Sequence, residues 1–200
     1  MELICLGDSL TYGYGIRRAL RWSSLVGEQL DIPVVNCGVN GDTTGGMLAR
    51  LQSDVLDRLS PTERQRRNLV LVMGGTNDIL FSGSDQSARA NLGALAHQLA
   101  GAGVEVAIGI PPPVIPDRVK GPWTRAVDVR AAQGVLEEYC TWLRRFCDAF
   151  SFPMVDFRQD FVGSGGPISE LFLDGIHPTE EGHRRMAERC VALLGDRRVL

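Results

Sequence analysis

The chain has 200 residues, of which 44% are hydrophobic and 22% charged, an ordinary composition for a globular protein with one large core. We therefore expect a single domain over 1–200. The formal net charge is only −3, from 21 Lys+Arg and 24 Asp+Glu. This balance argues against a nucleic-acid-binding protein, because such proteins usually carry a basic stripe. The densest basic cluster, Arg64-Gln65-Arg66-Arg67, is interpreted as a solvated loop.

The five cysteines have no paired C-x-x-C spacing, so neither a zinc knuckle nor a thioredoxin-type motif is available. Their mostly apolar surroundings favour free thiols in a reducing compartment. No apolar run approaches the ~20 residues that span a bilayer, and the chain begins with a strand-like segment rather than a signal peptide. We expect a cytoplasmic protein without an integral membrane segment, or a periplasmic or secreted one if a signal peptide has been removed. The sequence does not indicate an oligomeric state.

Short apolar segments alternate with segments of helical periodicity along the whole chain. Alternation of this kind predicts an α/β fold with helices on both faces of a parallel sheet. With five strands, we expect a three-layer α/β/α, flavodoxin-like fold of strand order 2-1-3-4-5. The predicted strands cover 3–6, 34–37, 69–73, 104–110 and 153–155, and the predicted helices cover 22–30, 44–59, 86–101, 127–150 and 179–194.

Four clusters of polar residues and glycines occupy positions that the predicted fold brings to one edge of the sheet. Three of them follow a predicted strand, and the fourth precedes the last predicted helix. Because the carboxyl ends of parallel strands lie at the same edge, these clusters are predicted to converge there. In chain order they are Gly7-Asp8-Ser9-Leu10, Gly41-Asp42-Thr43, Gly75-Thr76-Asn77-Asp78 and Asp174-Gly175-Ile176-His177-Pro178.

A serine, a histidine and an aspartate in these clusters are the residue types that acyl transfer by serine requires. The reaction needs a nucleophile, a base within hydrogen-bonding reach and a group that orients the base. Ser9 is the predicted nucleophile, His177 the base and Asp174 the residue that holds the imidazole in the correct tautomer. Since the base must be neutral to accept a proton, we expect activity to rise through one ionisation near neutrality.

Acyl transfer also needs hydrogen-bond donors aimed at the oxyanion that develops on the substrate carbonyl. The candidate donors are the backbone N–H groups of Ser9 and Gly41 and the side-chain amide of Asn77. A side-chain amide in this position can contribute roughly 3–4 kcal/mol of transition-state stabilisation.

The remaining polar residues of interest are interpreted as structural. Asp8 is expected to make a structural hydrogen bond on the side opposite to the nucleophile. Asp42 and Asp78 are predicted to cap helices. His97 and His183 lie within predicted amphipathic helices, where surface or packing roles are the expectation.

The four clusters resemble the four blocks that define the SGNH (GDSL-type) hydrolase family, whereas the GxSxG motif of α/β-hydrolases is absent. The resemblance covers nearly the whole chain, in the right order and spacing. Within the family, the chain looks most like the short bacterial arylesterase, lysophospholipase and thioesterase type. This resemblance implies a flavodoxin-like fold, hydrolysis of carboxylic esters or thioesters, and no metal or cofactor.

The resemblance also implies roles for individual residues. In this family the serine attacks the acyl carbonyl, the histidine is its base, and a glycine N–H and an asparagine amide complete the oxyanion hole. Carried over to this chain, these roles fall on Ser9, His177, Gly41 and Asn77, with Asp174 supporting His177.

The substrate is not encoded in such a triad. Small to medium acyl esters are the expected substrates on family grounds, with acyl-CoA or acyl thioesters, lysophospholipids and acetylated carbohydrates as alternatives. The binding pocket is expected in the loops near 12–16, 78–85, 111–125 and 157–173. Its candidate lining residues are Phe81, Ile115, Trp123 and Phe172.

Two other classes of function compete with the hydrolase. A metallophosphoesterase would use the aspartates and His177 as metal ligands, although such a site would want more histidines than the three present. A binding module on a flavodoxin-like sheet would hold a small ligand without turning it over. Labelling of Ser9 by a fluorophosphonate, together with insensitivity to EDTA, would separate the hydrolase from both.

Overall fold

The computed structural model describes residues 1–59, 68–120, 126–161 and 168–195. Within them, a five-stranded parallel sheet has the order β2-β1-β3-β4-β5, which confirms the predicted topology. Each strand lies within two residues of its predicted bounds. The strands are β1 (Glu2–Gly7), β2 (Val34–Gly38), β3 (Asn68–Met73), β4 (Glu105–Ile110) and β5 (Met154–Asp156).

Helices cover both faces of the sheet, as the continuous apolar strands predict. Ile4 and Leu6 of β1 belong to a core cluster on one face, and Leu3 and Cys5 belong to a second cluster on the other face. This alternation follows from the two-residue period of a strand. The helices are α1 (Ser9–Tyr12), α2 (Trp22–Leu30), α3 (Thr44–Ala49), α4 (Leu51–Asp54), α5 (Thr76–Ser82), α6 (Gln86–Gly101), α7 (Val129–Phe150) and α8 (Glu180–Gly195).

The two core clusters give the fold its three layers. The first cluster takes in Leu92 and Leu95 of α6 and Leu136 of α7. The second takes in Val26 of α2 and Met186 of α8. The sheet therefore separates α6 and α7 from α2 and α8, and the predicted α/β/α architecture is confirmed.

The continuous helix predicted over 44–59 is wrong. The segment is divided into α3, α4 and a 3₁₀ turn at Leu56–Arg58. The first break lies at Arg50, whose φ of −104° and ψ of 6° depart from helical values. Its side chain donates to the carbonyl groups of Gly7 and Cys37, at 2.9 and 2.8 Å. Hydrophobic periodicity cannot anticipate contacts with strands so distant in sequence.

The ends of the three neighbouring strands β2, β1 and β3 are level with one another. Gly7 is paired in register with Gly38 on one side and with Met73 on the other. Gly38 lies so close to α1 that a Cβ at this position would be 2.2 Å from the backbone nitrogen of Tyr12. Glycine is required here because it lets the single turn of α1, which carries Ser9, pack directly on the end of β2.

All five cysteines are free thiols, in agreement with the sequence. Burial raises the pKa of Cys140, Cys147 and Cys190 to about 12, so these thiols are inert packing groups. Within the described ranges, none of the helices combines the length and apolarity needed to cross a membrane. The basic cluster at 64–67 lies outside the described residues.

His183 is a packing residue of α8, as expected. Its side chain is fully buried, and its Nδ1 accepts a hydrogen bond of 3.1 Å from the backbone N–H of Trp22, the first residue of α2. This bond requires the neutral tautomer with the proton on Nε2. Burial lowers the pKa of His183 from 6.5 to about 4, with a smaller contribution from Arg21.

The lowered pKa of His183 predicts a loss of stability in acid. The folded state favours the neutral ring, so this stability is fully present above pH 6.5 and is lost as the pH falls towards 4. Substitution His183→Asn keeps an acceptor for the Trp22 N–H but does not titrate. Between pH 7.5 and 4, urea unfolding should show the wild type losing up to about 3 kcal/mol more than the variant. Parallel losses in the two proteins would contradict the prediction.

Candidate active site

Ser9 stands at the carboxyl end of β1, as predicted, and is the first residue of α1. Asp8 is the N-cap of this turn, because its Oδ1 accepts a hydrogen bond of 2.8 Å from the N–H of Leu10. The turn ends at Gly13, which has a φ of +81° and donates its N–H to the Ser9 carbonyl at 2.9 Å. These two hydrogen bonds fix the backbone on both sides of Ser9. The residue is 6% exposed.

The structure brings Ser9, His177 and Asp174 into one hydrogen-bonded chain. Ser9 Oγ is 2.9 Å from His177 Nε2, and His177 Nδ1 is 2.7 Å from Asp174 Oδ2. Since a carboxylate can only accept, Nδ1 carries a proton and the neutral ring presents Nε2 to the hydroxyl as an acceptor. This is the tautomer in which an imidazole can take a proton from a serine.

Asp174 is held as a carboxylate. Its second oxygen, Oδ1, accepts hydrogen bonds from the backbone N–H groups of Ile176 (3.0 Å) and His177 (2.9 Å). Burial alone would raise the pKa of Asp174, but the hydrogen bonds from the His177 ring and from these two N–H groups outweigh it and lower the pKa to about 2. The acid therefore remains charged beside the ring throughout the neutral range.

The loop that carries His177 is fixed on both sides. Gly175 has a φ of +89°, and its carbonyl accepts a hydrogen bond of 2.7 Å from the N–H of Ile115. A Cβ at Gly175 would lie 2.6 Å from the Ile115 carbonyl oxygen, so this close approach requires glycine. Leu173 donates its N–H to the His177 carbonyl at 2.8 Å. The imidazole is thereby anchored to the segment that follows β4.

Tyr14 lies in the predicted pocket loop near 12–16, but the sequence did not single it out. Its ring centroid lies 4.5 Å from that of His177, with the planes tilted by 41°, and the residue is 47% exposed. It covers one face of the imidazole from the loop that follows α1. The alternation Tyr12-Gly13-Tyr14-Gly15, which begins three residues after Ser9, was the signal available in the sequence.

The predicted oxyanion residues Gly41 and Asn77 lie on adjacent segments. Asn77 is in the first turn of α5 and is 6% exposed, and its Nδ2 donates to the Asp42 carbonyl at 2.8 Å. Gly41 precedes Asp42 in an exposed loop and has a φ of +76°. Because the carboxamide has two N–H groups, the bond to Asp42 orients Asn77 and leaves it a second donor.

Asp42 and Asp78 do not cap the helices that begin beside them, contrary to the prediction. The N-caps of α3 and α5 are Thr43 and Gly75. Asp78 instead binds across to α3, accepting from the backbone N–H and the hydroxyl of Thr44 at 2.9 and 2.6 Å. A carboxylate near a helix start can either cap that helix or bind a side chain or backbone group of another element. Local sequence spacing does not distinguish these two possibilities.

The four residues expected to line the pocket differ in their placement. Phe81 is 57% exposed at the end of α5, and Ile115 is partly buried beside the loop of His177. Phe172 does not line an open surface: it is 1% exposed and packs against Phe161 at 5.1 Å between ring centroids, because its backbone bridges to Pro178. Trp123 lies outside the described residues.

Asp8 is an unusual carboxyl group beside Ser9. It is 1% exposed, and its Oδ2 has no hydrogen-bond partner within the described segments. Burial raises the pKa of Asp8 to about 7, with Asp42 and Asp78 adding to the rise and the Leu10 N–H and His177 opposing it. Asp8 therefore ionises near neutrality, in addition to the single ionisation that was expected from His177.

Across the described ranges, no group of three or more histidine, cysteine, aspartate or glutamate side chains could hold a metal ion. The chemistry of the site lies instead in an imidazole placed between a hydroxyl and a carboxylate, at the carboxyl edge of a parallel sheet. That arrangement is characteristic of serine hydrolases.

Comparison with known proteins agrees with this class. The family described as GDSL-like lipase/acylhydrolase matches residues 5–185, and the chain belongs to that family. It is an enzyme of the esterase class. The resemblance identified in the sequence is thereby confirmed.

Individual relatives are similar to the chain over different shares of its length. An arylesterase of Vibrio mimicus is 34% identical over 119 residues, which cover 56% of this chain and 56% of the relative's own length. Esterase TesA of Pseudomonas aeruginosa is 26% identical over 194 residues, covering 93% of this chain and 84% of that protein. A lipolytic protein of the G-D-S-L family from Veillonella parvula has the same fold, with a TM-score of 0.80, 23% identity and coverage of 98% and 99% of the two chains.

The raised pKa of Asp8 predicts that its ionisation opposes folding. The contribution of the neutral acid is fully present below pH 3.8, the value for an unperturbed aspartate, and is lost as the pH rises towards 7. Asp8→Asn keeps an oxygen that can accept from the Leu10 N–H and cannot ionise. Urea unfolding should show the variant gaining up to about 4 kcal/mol over the wild type at pH 8, relative to any difference at pH 4.

The same variant tests the effect of Asp8 on catalysis. The pH–rate profile of Asp8→Asn should contain one ionisation fewer near neutrality than that of the wild type, because a charge on Asp8 would oppose the negative charge that develops in the proposed reaction. A stability difference that does not change between pH 4 and pH 8 would contradict the raised pKa, whatever the rate profile shows.

Proposed function

We propose that the protein hydrolyses carboxylic esters through an acyl-enzyme intermediate on Ser9. The observation that carries this proposal is the hydrogen bond of 2.9 Å between Ser9 Oγ and His177 Nε2, in line with the bond of 2.7 Å from His177 Nδ1 to Asp174. Both bonds have the length expected of a nucleophile and its base and of a base and its orienting group.

In the acylation step, Ser9 Oγ attacks the ester carbonyl while its proton passes to His177 Nε2. Asp174 stabilises the imidazolium that forms, and its low pKa supports this role because the carboxylate does not itself become protonated. The proton on Nε2 then passes to the oxygen of the leaving alcohol as the tetrahedral intermediate collapses. The products of this step are the free alcohol and an ester of Ser9.

The N–H groups of Ser9 and Gly41 and the amide of Asn77 are the proposed donors to the oxyanion. Their support is the level ends of β1, β2 and β3 and the bond between Asn77 and the Asp42 carbonyl. In deacylation, His177 removes a proton from water, the hydroxide attacks the acyl carbonyl, and Ser9 regains its proton from the ring.

Exposed apolar side chains lie on segments that adjoin the proposed site residues in the sequence, and they support an acyl substrate. These segments are the loop after α1, the loop after β2, the end of α5 and the residue before Asp174. Large exposed apolar side chains commonly mark binding surfaces where they lie together. The residues are Tyr14 (47% exposed), Val39 (45%), Phe81 (57%) and Leu173 (46%).

The first test uses a fluorophosphonate probe. The wild type should be labelled once per chain, at Ser9, and should hydrolyse p-nitrophenyl acetate without added metal and in the presence of EDTA. Ser9→Ala should lose both labelling and at least about 10⁴-fold in kcat. Ser87→Ala, which removes an exposed serine of α6, is the matched control and should retain both.

The outcomes of this test separate the rival functions. Hydrolysis that persists in Ser9→Ala would overturn the proposed nucleophile. Loss of activity on chelation would indicate a metal-dependent reaction instead. A folded wild-type protein that neither reacts with the probe nor turns over esters would indicate a binding module.

A second test addresses the substrate. The exposed apolar side chains of Tyr14, Val39, Phe81 and Leu173, here called the apolar rim, are few and separate. We therefore expect p-nitrophenyl esters from acetate to about octanoate to be preferred over palmitate. Each buried methylene contributes only about 0.8 kcal/mol, so kcat/KM should rise with length and then level off or fall once the chain extends past the rim. Acyl-CoA, lysophospholipid and acetylated sugar substrates, measured beside this series, distinguish the alternatives. A preference for palmitate would contradict the expectation.

A further inference from the structure

Arg50, at the break between α3 and α4, binds four groups at once. Its Nε donates to Asp42 Oδ2 at 2.8 Å, and its Nη2 donates to the Gly7 carbonyl at 2.9 Å. Its Nη1 donates both to the Cys37 carbonyl at 2.8 Å and to Asp54 Oδ2 at 2.6 Å. The side chain is only 17% exposed, so these bonds are largely shielded from water.

Three of the four partners belong to segments that carry the proposed oxyanion donors. Gly7 is the last residue of β1, two positions before Ser9. Cys37 is the penultimate residue of β2, which leads into the loop of Gly41, and Asp42 follows Gly41 directly. One planar guanidinium thus joins the nucleophile segment to both sides of the Gly41 loop.

The third proposed donor, the side-chain amide of Asn77 on α5, is reached through Asp42. Its carboxylate accepts from Arg50, and its backbone carbonyl accepts from Asn77 Nδ2 at 2.8 Å. The position of Asp42 therefore affects where the Asn77 amide is held. In this way Arg50 connects Ser9, Gly41 and Asn77 without needing to touch the substrate.

The Gly41 loop has little else to fix it. Gly41 itself is exposed, and apart from its chain neighbours no atom of the described residues lies within 4 Å of the position its Cβ would occupy. The backbone bonds around it are those from the Val39 N–H to the Gly7 carbonyl at 3.0 Å and from the Asp42 N–H to the Val39 carbonyl at 3.2 Å. Oxyanion donors must be placed within a few tenths of an ångström to be effective, so a loop of this kind depends on its anchors.

We propose that Arg50 is a positioning residue for the oxyanion hole, which sets the Gly41 N–H and the Asn77 amide relative to Ser9 by way of Asp42 and the Gly7 and Cys37 carbonyls. The inference rests on the proposed esterase function. A guanidinium is needed because its rigid fork offers five donors in one plane, whereas a lysine ammonium offers three from a single point. Burial alone would lower the pKa of Arg50, but the carboxylates of Asp54 and Asp42 raise it, so the fork stays charged.

The two carboxylate partners provide a matched pair of variants. Asp42→Asn weakens the bond that leads to the Gly41 loop and to Asn77. Asp54→Asn removes the same charge from the same guanidinium, but Asp54 lies on α4 and its side chain binds Arg50 and Ser53 only, within the described residues. A general loss of stability through Arg50 would affect both variants, whereas a positioning role affects the first far more.

The experiment compares an ester with its thionoester, in which sulfur replaces the carbonyl oxygen. Sulfur accepts hydrogen bonds poorly, so the ratio of kcat/KM for the ester to that for the thionoester reports on the oxyanion donors. Arg50→Lys and Asp42→Asn should lower kcat for the ester by about 10- to 10³-fold, within the effect of losing one donor, with KM changed less than threefold. The ester-to-thionoester ratio should fall with kcat. Asp54→Asn should stay within threefold of the wild type in kcat and in the ratio.

Each outcome decides the proposal. All variants are assayed below their melting temperatures. Arg50→Lys is used instead of Arg50→Ala because it keeps the positive charge beside the two carboxylates. Wild-type kcat in Arg50→Lys, or a lowered kcat with an unchanged ester-to-thionoester ratio, would overturn the positioning role. Equal losses in Asp42→Asn and Asp54→Asn would overturn it as well. Failure of the proposed function itself is distinguishable, because the wild type would then hydrolyse neither substrate and Ser9 would remain unlabelled.

Discussion

The contact between Ser9 and His177 joins residues 168 positions apart, and the rest of the fold serves to keep them together. Trp22 provides the bridge. Its indole Nε1 donates to the carbonyl of Leu10, beside the serine, at 3.0 Å, and its backbone N–H donates to buried His183 of α8 at 3.1 Å. Because α8 begins shortly after His177, the packing of α8 on α2 fixes the imidazole relative to the end of β1. Stability and the proposed catalysis therefore depend on the same buried contacts.

The fold was predictable from the sequence because its signals are local. Continuous apolar strands alternate with amphipathic helices, and this pattern dictates a parallel sheet covered on both faces. The approach of Ser9 to the Asp174–His177 turn was predictable for a related reason: both lie at element ends, and a parallel sheet collects such ends at one edge. The relative positions of Ser9 and His177 follow from topology once the strand order is known.

What could not be predicted depends on tertiary contacts of single side chains. The helix over 44–59 breaks where Arg50 turns towards β1 and β2, and no periodicity encodes those partners. Asp78 binds Thr44 across helices instead of capping its own. Phe172, whose aromatic character suggested a pocket wall, is drawn into the core beside Phe161. In each case the partner of the side chain depends on how segments distant in sequence pack together, and the residue type alone does not specify it.

Three carboxyl groups lie near a site at which we propose that negative charge develops, and the fold offsets each of them by a different means. Asp42 is paired with the guanidinium of Arg50. Asp78 accepts from the backbone N–H and hydroxyl of Thr44 at the start of α3, where free N–H groups favour a carboxylate. Asp8 is buried and forms no ion pair with the described residues, and its raised pKa means that it is largely neutral below about pH 7. An uncompensated carboxylate would repel the oxyanion. Because each of the three carboxyl groups is paired, hydrogen-bonded or neutral, this edge of the sheet can hold acidic residues and still stabilise the negative charge that we propose develops there.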